Sequence, residues 1–224
     1  MQEKIDVIGA SRTDAGVHAL HQVAHVKTRS KIPCDKLLIA LNGLLPEDIS
    51  VRSVADMKVG FHSQKGVEKK TYRYLIWNER ARSAMLRDRA WHVWEPLNLS
   101  AMRKAAKHLI GRHDFSAFRA HQSDTKTSVR RVHRIDLTRP AGHPLLNKER
   151  VGRGRMSHGA LIQFQITGNG FLKYMIRNIV GTLVDVGKGR VKPEEVRKIL
   201  RSKDRKKAGV TAPASGLYLV LISY

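Results

Sequence analysis

The chain has 224 residues, and 42 Lys and Arg against 19 Asp and Glu give a formal net charge of +23 at pH 7. A hydrophobic fraction of 42 % excludes a disordered chain, and no apolar run approaches the roughly 18 residues that a membrane span needs. This length allows one large or two small hydrophobic cores, and we expect two.

The excess of positive charge predicts a polyanionic partner such as a nucleic acid, although a structural, ribosome-associated protein would carry the same charge. Aromatic residues make up only 6 % of the chain, which favours recognition of backbone and shape over stacking on single strands. The single cysteine, Cys34, excludes an internal disulfide, and the first residues form no apolar signal segment. Both features favour a cytoplasmic location.

The first element is a polar loop at residues 9–19 between an apolar piece at 5–8 and an alternating segment at 17–26, which predicts a half-buried strand. Asp14 lies at the tip of this loop. Arg12, two residues earlier, carries the charge to neutralise a phosphate or the carboxylate. Turn chemistry alone favours the simpler interpretation, in which Asp14 only hydrogen-bonds neighbouring amides.

The next elements are a helix from Pro33 to Asn42 and a strand at residues 49–54. The polar segment 55–68 then marks a domain boundary, so that the predicted domains are residues 1–62, with the loop 9–19, and residues 63–224. Residues 69–77 form a strand with Tyr72, Tyr74 and Ile76 on one face. The two tyrosines either stack on a base or fill a core.

The second half of the chain alternates strands and helices. Four arginines make residues 78–89 a solvated loop that faces phosphates, and Ser100 is predicted to cap a helix. The remaining predictions are strands at 90–94, 129–138, 160–167 and 217–222, an irregular polar segment at 121–128, a basic loop at 140–159 and a last helix that begins at Pro193. The last strand is expected to be buried on both faces.

Residues 171–187 give the clearest helical pattern. The apolar stripe consists of Leu172, Met175, Ile176, Ile179, Val180, Leu183 and Val184. Lys173 and Arg177 flank this stripe one turn apart. Arg177 then either snorkels to solvent or meets a carboxylate from elsewhere in the chain.

No motif predicts a metal or a cofactor. His18 and His21 would point to opposite faces of an extended segment, and residues 168–170 (GNG) lack the third glycine of a dinucleotide loop. A Walker loop and a nucleophile elbow are both absent from the sequence.

The chain resembles the TruA-type family of pseudouridine synthases, which modify tRNA uridines 38–40. Four stretches carry this resemblance in the order of the family: residues 11–19 (SRTDAGVHA), 72–74 (YRY), 171–181 (FLKYMIRNIVG) and 212–219 (APASGLYL). By this resemblance Asp14 is the catalytic carboxylate, Arg12 binds the substrate and helps to displace the target base, and Tyr72 packs against that base. Arg177 completes the catalytic set by pairing with Asp14.

The resemblance also implies an α+β fold. It consists of two RNA-recognition-like α/β-sandwich domains whose antiparallel sheets flank a central basic cleft. The first strand and helix of the family are expected to be missing from this chain. Family members use no cofactor or metal, act on tRNA, do not bind membranes and are usually homodimers.

Two further hypotheses compete with an enzyme that isomerises uridine in tRNA. A catalytically inactive RNA-binding protein or fragment of the same fold would keep the basic cleft. A structural, ribosome-associated protein would need only the charge and makes no prediction about a contact between Asp14 and Arg177.

Overall fold

The computed structural model describes residues 3–120, 125, 127–140 and 161–224. The predicted basic loop 140–159 lies outside these residues except for residue 140, as does most of the predicted irregular segment 121–128. The chain divides into two compact units, one formed by Met1–Ser11 and Val23–Gly66 and the other by Arg12–Gln22 and Val67–Tyr224. No helix in the described ranges is long and apolar enough to cross a membrane.

The first unit contains two short strands and one helix: β1 (Ile8–Gly9), β3 (Ala24–His25) and α1 (Cys34–Leu44). The antiparallel pairing of β1 with β3 and the predicted helix are present, but α1 has no fully buried residue. The strand predicted at residues 49–54 is wrong. The Asn42 side chain takes both backbone groups of Val51, donating to its oxygen and accepting from its nitrogen, each at 2.8 Å.

The second unit is built on a mixed sheet. Its strands are β2 (His18–Ala19), β4 (Lys69–Trp77), β5 (Trp91–His92), β6 (Gly111–Asp114), β7 (Val129–Thr138), β8 (Leu161–Gly168) and β9 (Leu217–Ser223). They lie in the order β2, β9, β4, β8, β7, β6, and β5 also pairs with β4. The α+β class is confirmed. The sheet is not wholly antiparallel, because β2 runs parallel to β9 and β5 parallel to β4.

The single strand predicted over residues 17–26 is wrong. It is divided into β2, which pairs β9 in the second unit, and β3, which pairs β1 in the first. Periodicity identified extended backbone but carried no information about the partner of each half.

The helices of the second unit are α2 (Leu99–Lys107), α3 (Met175–Gly187) and α4 (Glu195–Ser202). All seven residues of the predicted stripe are buried, six of them on α3 and Leu172 just before it, and so are Tyr72, Tyr74 and Ile76 on β4. The helix begins four residues later than predicted because Tyr174 takes a left-handed backbone angle, φ +62°. β9 is buried only in part, since Leu221 is 45 % exposed.

The N-cap of α2 differs from the sequence prediction. Asn98, not Ser100, is the cap, and its side-chain oxygen accepts a hydrogen bond from the Ala101 amide at 3.0 Å. Ser100 lies inside the first turn, where a hydroxyl gives no capping benefit.

This assignment predicts that Asn98→Ala lowers the free energy of unfolding by about 1 kcal/mol, because the Ala101 amide loses its acceptor. The matched variant Ser100→Ala should change it by no more than a few tenths of a kcal/mol. Urea denaturation of both variants measures the difference. A larger loss in Ser100→Ala than in Asn98→Ala would contradict the assigned cap.

Candidate active site

The loop that carries Asp14 is anchored to the sheet of the second unit. The Val17 amide donates to the Asp14 carbonyl at 3.0 Å and closes a turn in which Gly16 has φ +78°, an angle that favours glycine. Immediately after the turn, the His18 ring stacks on Tyr218 with 4.7 Å between centroids. The backbone on one side of Asp14 is therefore held by β9.

Arg177 reaches Asp14 from the first turn of α3. Its Nη1 lies 3.2 Å from Asp14 Oδ2, while its Nε donates to the Ala212 carbonyl at 2.7 Å. The Arg177 side chain is 15 % exposed and that of Asp14 is 29 % exposed. The contact predicted between these two residues is confirmed, and the alternative of a solvent-directed Arg177 is not what the structure contains.

Tyr174 supports the guanidinium from another side, and the sequence analysis did not identify it. The Arg177 Cζ lies 4.8 Å from the centroid of the Tyr174 ring, within the range of a cation–π contact. Tyr174 is also one of two residues other than glycine with a positive φ in the described part of the chain. Such strained angles cost of order 1 kcal/mol or more and concentrate at functional sites.

The two tyrosines of β4 are both buried. Tyr72 is 6 % exposed and packs edge-on against Phe171, with 5.3 Å between ring centroids. Tyr74 is fully buried and donates its hydroxyl to the Pro213 carbonyl at 2.7 Å. Burial raises the pKa of Tyr74 far above its ordinary value, against the opposing effect of the positive charge on Arg177. The Tyr74 hydroxyl therefore remains a protonated donor.

Arg12 is exposed, and within the described residues its side chain makes no hydrogen bond or ion pair. The structure therefore does not bring the Arg12 side chain into contact with Asp14. The described residues also contain no group of three or more His, Cys, Asp or Glu side chains able to hold a metal ion.

This arrangement suits nucleophilic or general-base chemistry by one carboxylate. Arg177 compensates the charge of Asp14 without enclosing it, because 29 % of the Asp14 side chain remains accessible. A nucleophile needs such access together with a fixed orientation.

Comparison with known proteins identifies one matching family model and several relatives. Residues 105–224 match the family model described as tRNA pseudouridine synthase. The proteins named tRNA pseudouridine synthase A from Thermoanaerobacter sp. (strain X514) and Acetivibrio thermocellus are 46 % and 45 % identical over 222 residues, which cover 99 % of this chain and 84 % of each relative. The protein of that name from Bacillus subtilis is 40 % identical over 223 residues, covering 100 % of this chain and 83 % of the relative.

The contact between Tyr74 and Pro213 predicts a loss of about 1 kcal/mol of folding stability in Tyr74→Phe, since a buried hydroxyl loses its acceptor. For a chain of this length, the melting temperature should fall by roughly 2–4 °C. Tyr174→Phe removes the same atom from a hydroxyl with no hydrogen bond among the described residues, and it should melt within about 1 °C of the parent. Equal melting temperatures for the two variants would contradict the assigned hydrogen bond.

Proposed function

Because the chain belongs to the tRNA pseudouridine synthase family and is therefore an isomerase that acts on tRNA, we propose that it modifies uridines 38–40 of the anticodon stem-loop, with Asp14 as the nucleophile. The observation that carries the assignment of Asp14 is its contact with Arg177 at 3.2 Å. Two residues from distant parts of the chain meet there in a charge-compensated but accessible pair.

The proposed reaction exchanges one bond of C1′ for another. Asp14 attacks the nucleoside and bonds to it, the bond between C1′ and N1 breaks, and the uracil turns. C1′ then bonds to C5, and the bond to Asp14 breaks, which restores the free carboxylate. The hydrogen on C5 is released as a proton, and N1 gains a proton. Atoms and electrons balance without an oxidant or reductant because uridine and pseudouridine are isomers.

Arg12 is proposed to bind the substrate and assist base flipping. A uridine in a stem must leave the stack before its glycosidic bond is accessible, and this costs a few kcal/mol. The exposed Arg12 guanidinium lies two residues from Asp14 in sequence and can bind a phosphate of the displaced nucleotide.

Tyr72 and Arg177 complete the proposed catalytic set. Tyr72 is proposed to pack on the uracil and to exchange a proton when C5 loses its hydrogen. Because Tyr72 is 6 % exposed, little of the residue is accessible to a base in this conformation. Arg177 is proposed to hold the Asp14 carboxylate in the orientation from which it attacks.

The loop at residues 78–89 supports a contact with the RNA backbone. The end of this loop is fixed to the sheet through two backbone carbonyls. His18 Nε2 lies 2.9 Å from the carbonyl oxygen of Asp88, and the Tyr218 hydroxyl donates to the carbonyl oxygen of Arg89 at 2.7 Å. Arg87 and Arg89 are exposed and line a surface pocket of about 220 Å³ beside His18. A fixed loop with exposed guanidiniums binds phosphates at a low cost in conformational entropy.

We further propose that the enzyme functions in the cytoplasm as a homodimer. Both inferences rest on the family resemblance, and the single cysteine is compatible with a reducing compartment. RNA binding is expected to be strongly salt-dependent because of the net charge of +23.

The role of Asp14 is tested by Asp14→Asn, which keeps the shape of the side chain but removes its charge. We expect release of hydrogen from C5-labelled uridine in tRNA to fall by at least about a thousandfold, with tRNA binding within about twofold of the parent. Transcripts with uridine at only one of positions 38, 39 and 40 report the target. Equal turnover by parent and variant would remove Asp14 from the mechanism, and no turnover by the parent would favour an inactive RNA-binding protein.

The role of the loop at 78–89 is tested by replacing Arg87 and Arg89 together with alanine. The tRNA dissociation constant should rise, and the slope of its logarithm against the logarithm of salt concentration should fall by about 2, one for each lost phosphate contact. The control replaces Arg197 and Arg201, two exposed arginines of α4, and changes the net charge equally. Identical slopes for the two double variants would contradict a specific contact.

A further inference from the structure

A partly buried hydrogen-bond network begins at the residue that follows Arg177. Asn178, the next residue on α3, is fully buried, and its side-chain nitrogen donates to the Phe118 carbonyl at 2.7 Å. Its side-chain oxygen accepts from Thr211 Oγ1 at 2.6 Å and from Arg205 Nη2 at 3.0 Å. Both ends of the Asn178 amide are thus satisfied inside the protein, which fixes its orientation.

Arg205 is the centre of this network. Its guanidinium donates to the carbonyls of Ala208 and Gly209 at 3.2 and 3.0 Å, and to Thr211 Oγ1 at 3.0 Å, in addition to Asn178. No carboxylate in the described ranges lies within ion-pair distance of Arg205, and burial lowers the pKa of this guanidinium. Because four neutral acceptors surround its guanidinium, we interpret Arg205 as a residue that holds the backbone in place rather than as a surface charge that aids solubility.

The segment 208–212 is pressed against α3 at two points. The Gly209 amide donates to Thr182 Oγ1 at 2.9 Å, and that hydroxyl donates to the Asn178 carbonyl at 2.8 Å. Gly181 permits the second approach, because a Cβ at this position would lie 1.7 Å from the Val210 oxygen. The path of residues 208–212 along the helix is therefore fixed.

The segment ends at the residue that holds Arg177. The Ala212 amide donates to the Arg177 carbonyl at 3.2 Å, and the Ala212 carbonyl accepts from Arg177 Nε at 2.7 Å. Fixing Nε fixes the plane of the guanidinium, and Nη1 then points to Asp14. The position of the Ala212 carbonyl thus sets the position of the group that meets the carboxylate.

We propose that Arg205 is a positioning residue for the isomerisation: through Asn178, Thr211 and the Ala212 carbonyl it sets the orientation of Arg177 toward Asp14. This inference rests on the proposed role of the Asp14–Arg177 pair. Arg205 acts through the backbone of residues 208–212. A displacement of about 1 Å at a reacting group costs roughly a hundredfold in rate, so the effect should appear in kcat.

The test is a double-mutant cycle of Arg205→Met with Arg177→Lys. Lysine has one nitrogen and cannot bond the Ala212 carbonyl and Asp14 with the fork of an arginine, so it uncouples the carbonyl from the carboxylate. Arg205→Met should lower kcat for tRNA by about 10- to 100-fold with KM within about twofold of the parent. In the Arg177→Lys background, the same replacement should cost less than about threefold. Arg201→Met, on the exposed face of α4, is the control and should leave both constants unchanged.

Two results would overturn the proposal. Equal losses in both backgrounds would mean that Arg205 acts independently of Arg177, and a rise in KM with unchanged kcat would assign Arg205 to binding. If Arg205→Met does not fold, Thr211→Val removes one hydroxyl of the network and should give the same non-additive pattern with a smaller loss. Additive losses for Thr211→Val would likewise overturn it.

The positioning role of Arg205 and the proposed role of Asp14 can be contradicted independently of each other. Persistent turnover in Asp14→Asn would contradict Asp14 as the nucleophile while leaving the coupling between Arg205 and Arg177 measurable. An inactive Asp14→Asn with additive losses at Arg205 and Arg177 would overturn only the positioning role.

Discussion

In the contact between Asp14 and Arg177, one guanidinium bonds two different acceptors. One nitrogen bonds a backbone carbonyl at 2.7 Å and another meets a carboxylate at 3.2 Å, so a rigid planar group couples the position of the backbone to that of the Asp14 carboxylate. The two residues are 163 positions apart in sequence. Sheet, helix α3 and the segment before β9 must therefore all fold before the pair exists, and local structure around Asp14 alone cannot produce it.

The intermediate burial of this pair reconciles two opposing demands. Full burial of both charges would cost several kcal/mol in desolvation per ion and would exclude the substrate, whereas full exposure would leave a pair worth little. With the arginine 15 % and the aspartate 29 % exposed, the cation is held by the protein and the anion faces the accessible side. The asymmetry matches the different tasks proposed for them, because one group must stay in place and the other must react.

Sequence patterns predicted those elements whose environment is uniform along their length. Strand β4 buries every second residue from Tyr72 to Ile76, and α3 buries 11 of its 13 residues along its whole length, so apolar periodicity located both. Periodicity failed where one side chain or residue overrides the pattern. Asn42 takes the backbone groups of Val51 and prevents a strand, and the left-handed Tyr174 delays the start of α3. Neither effect has a signature in hydrophobic spacing.

The groups of the candidate site also divide into those that the sequence identifies and those that it does not. The sequence motifs contain Asp14, Tyr72 and Arg177, whereas the acceptor of Arg177 at Ala212 and two of the four acceptors of Arg205 are backbone carbonyls, which any residue provides. The contacts that hold the Arg177 guanidinium matter in a chain with a net charge of +23 whose substrate is a polyanion. An unrestrained arginine beside bound RNA would be attracted to a nearby phosphate, because the Coulomb attraction between opposite charges is strong at short distances. Because the Ala212 carbonyl and the Tyr174 ring contact the guanidinium from two sides, we expect Arg177 to stay with Asp14 when RNA binds.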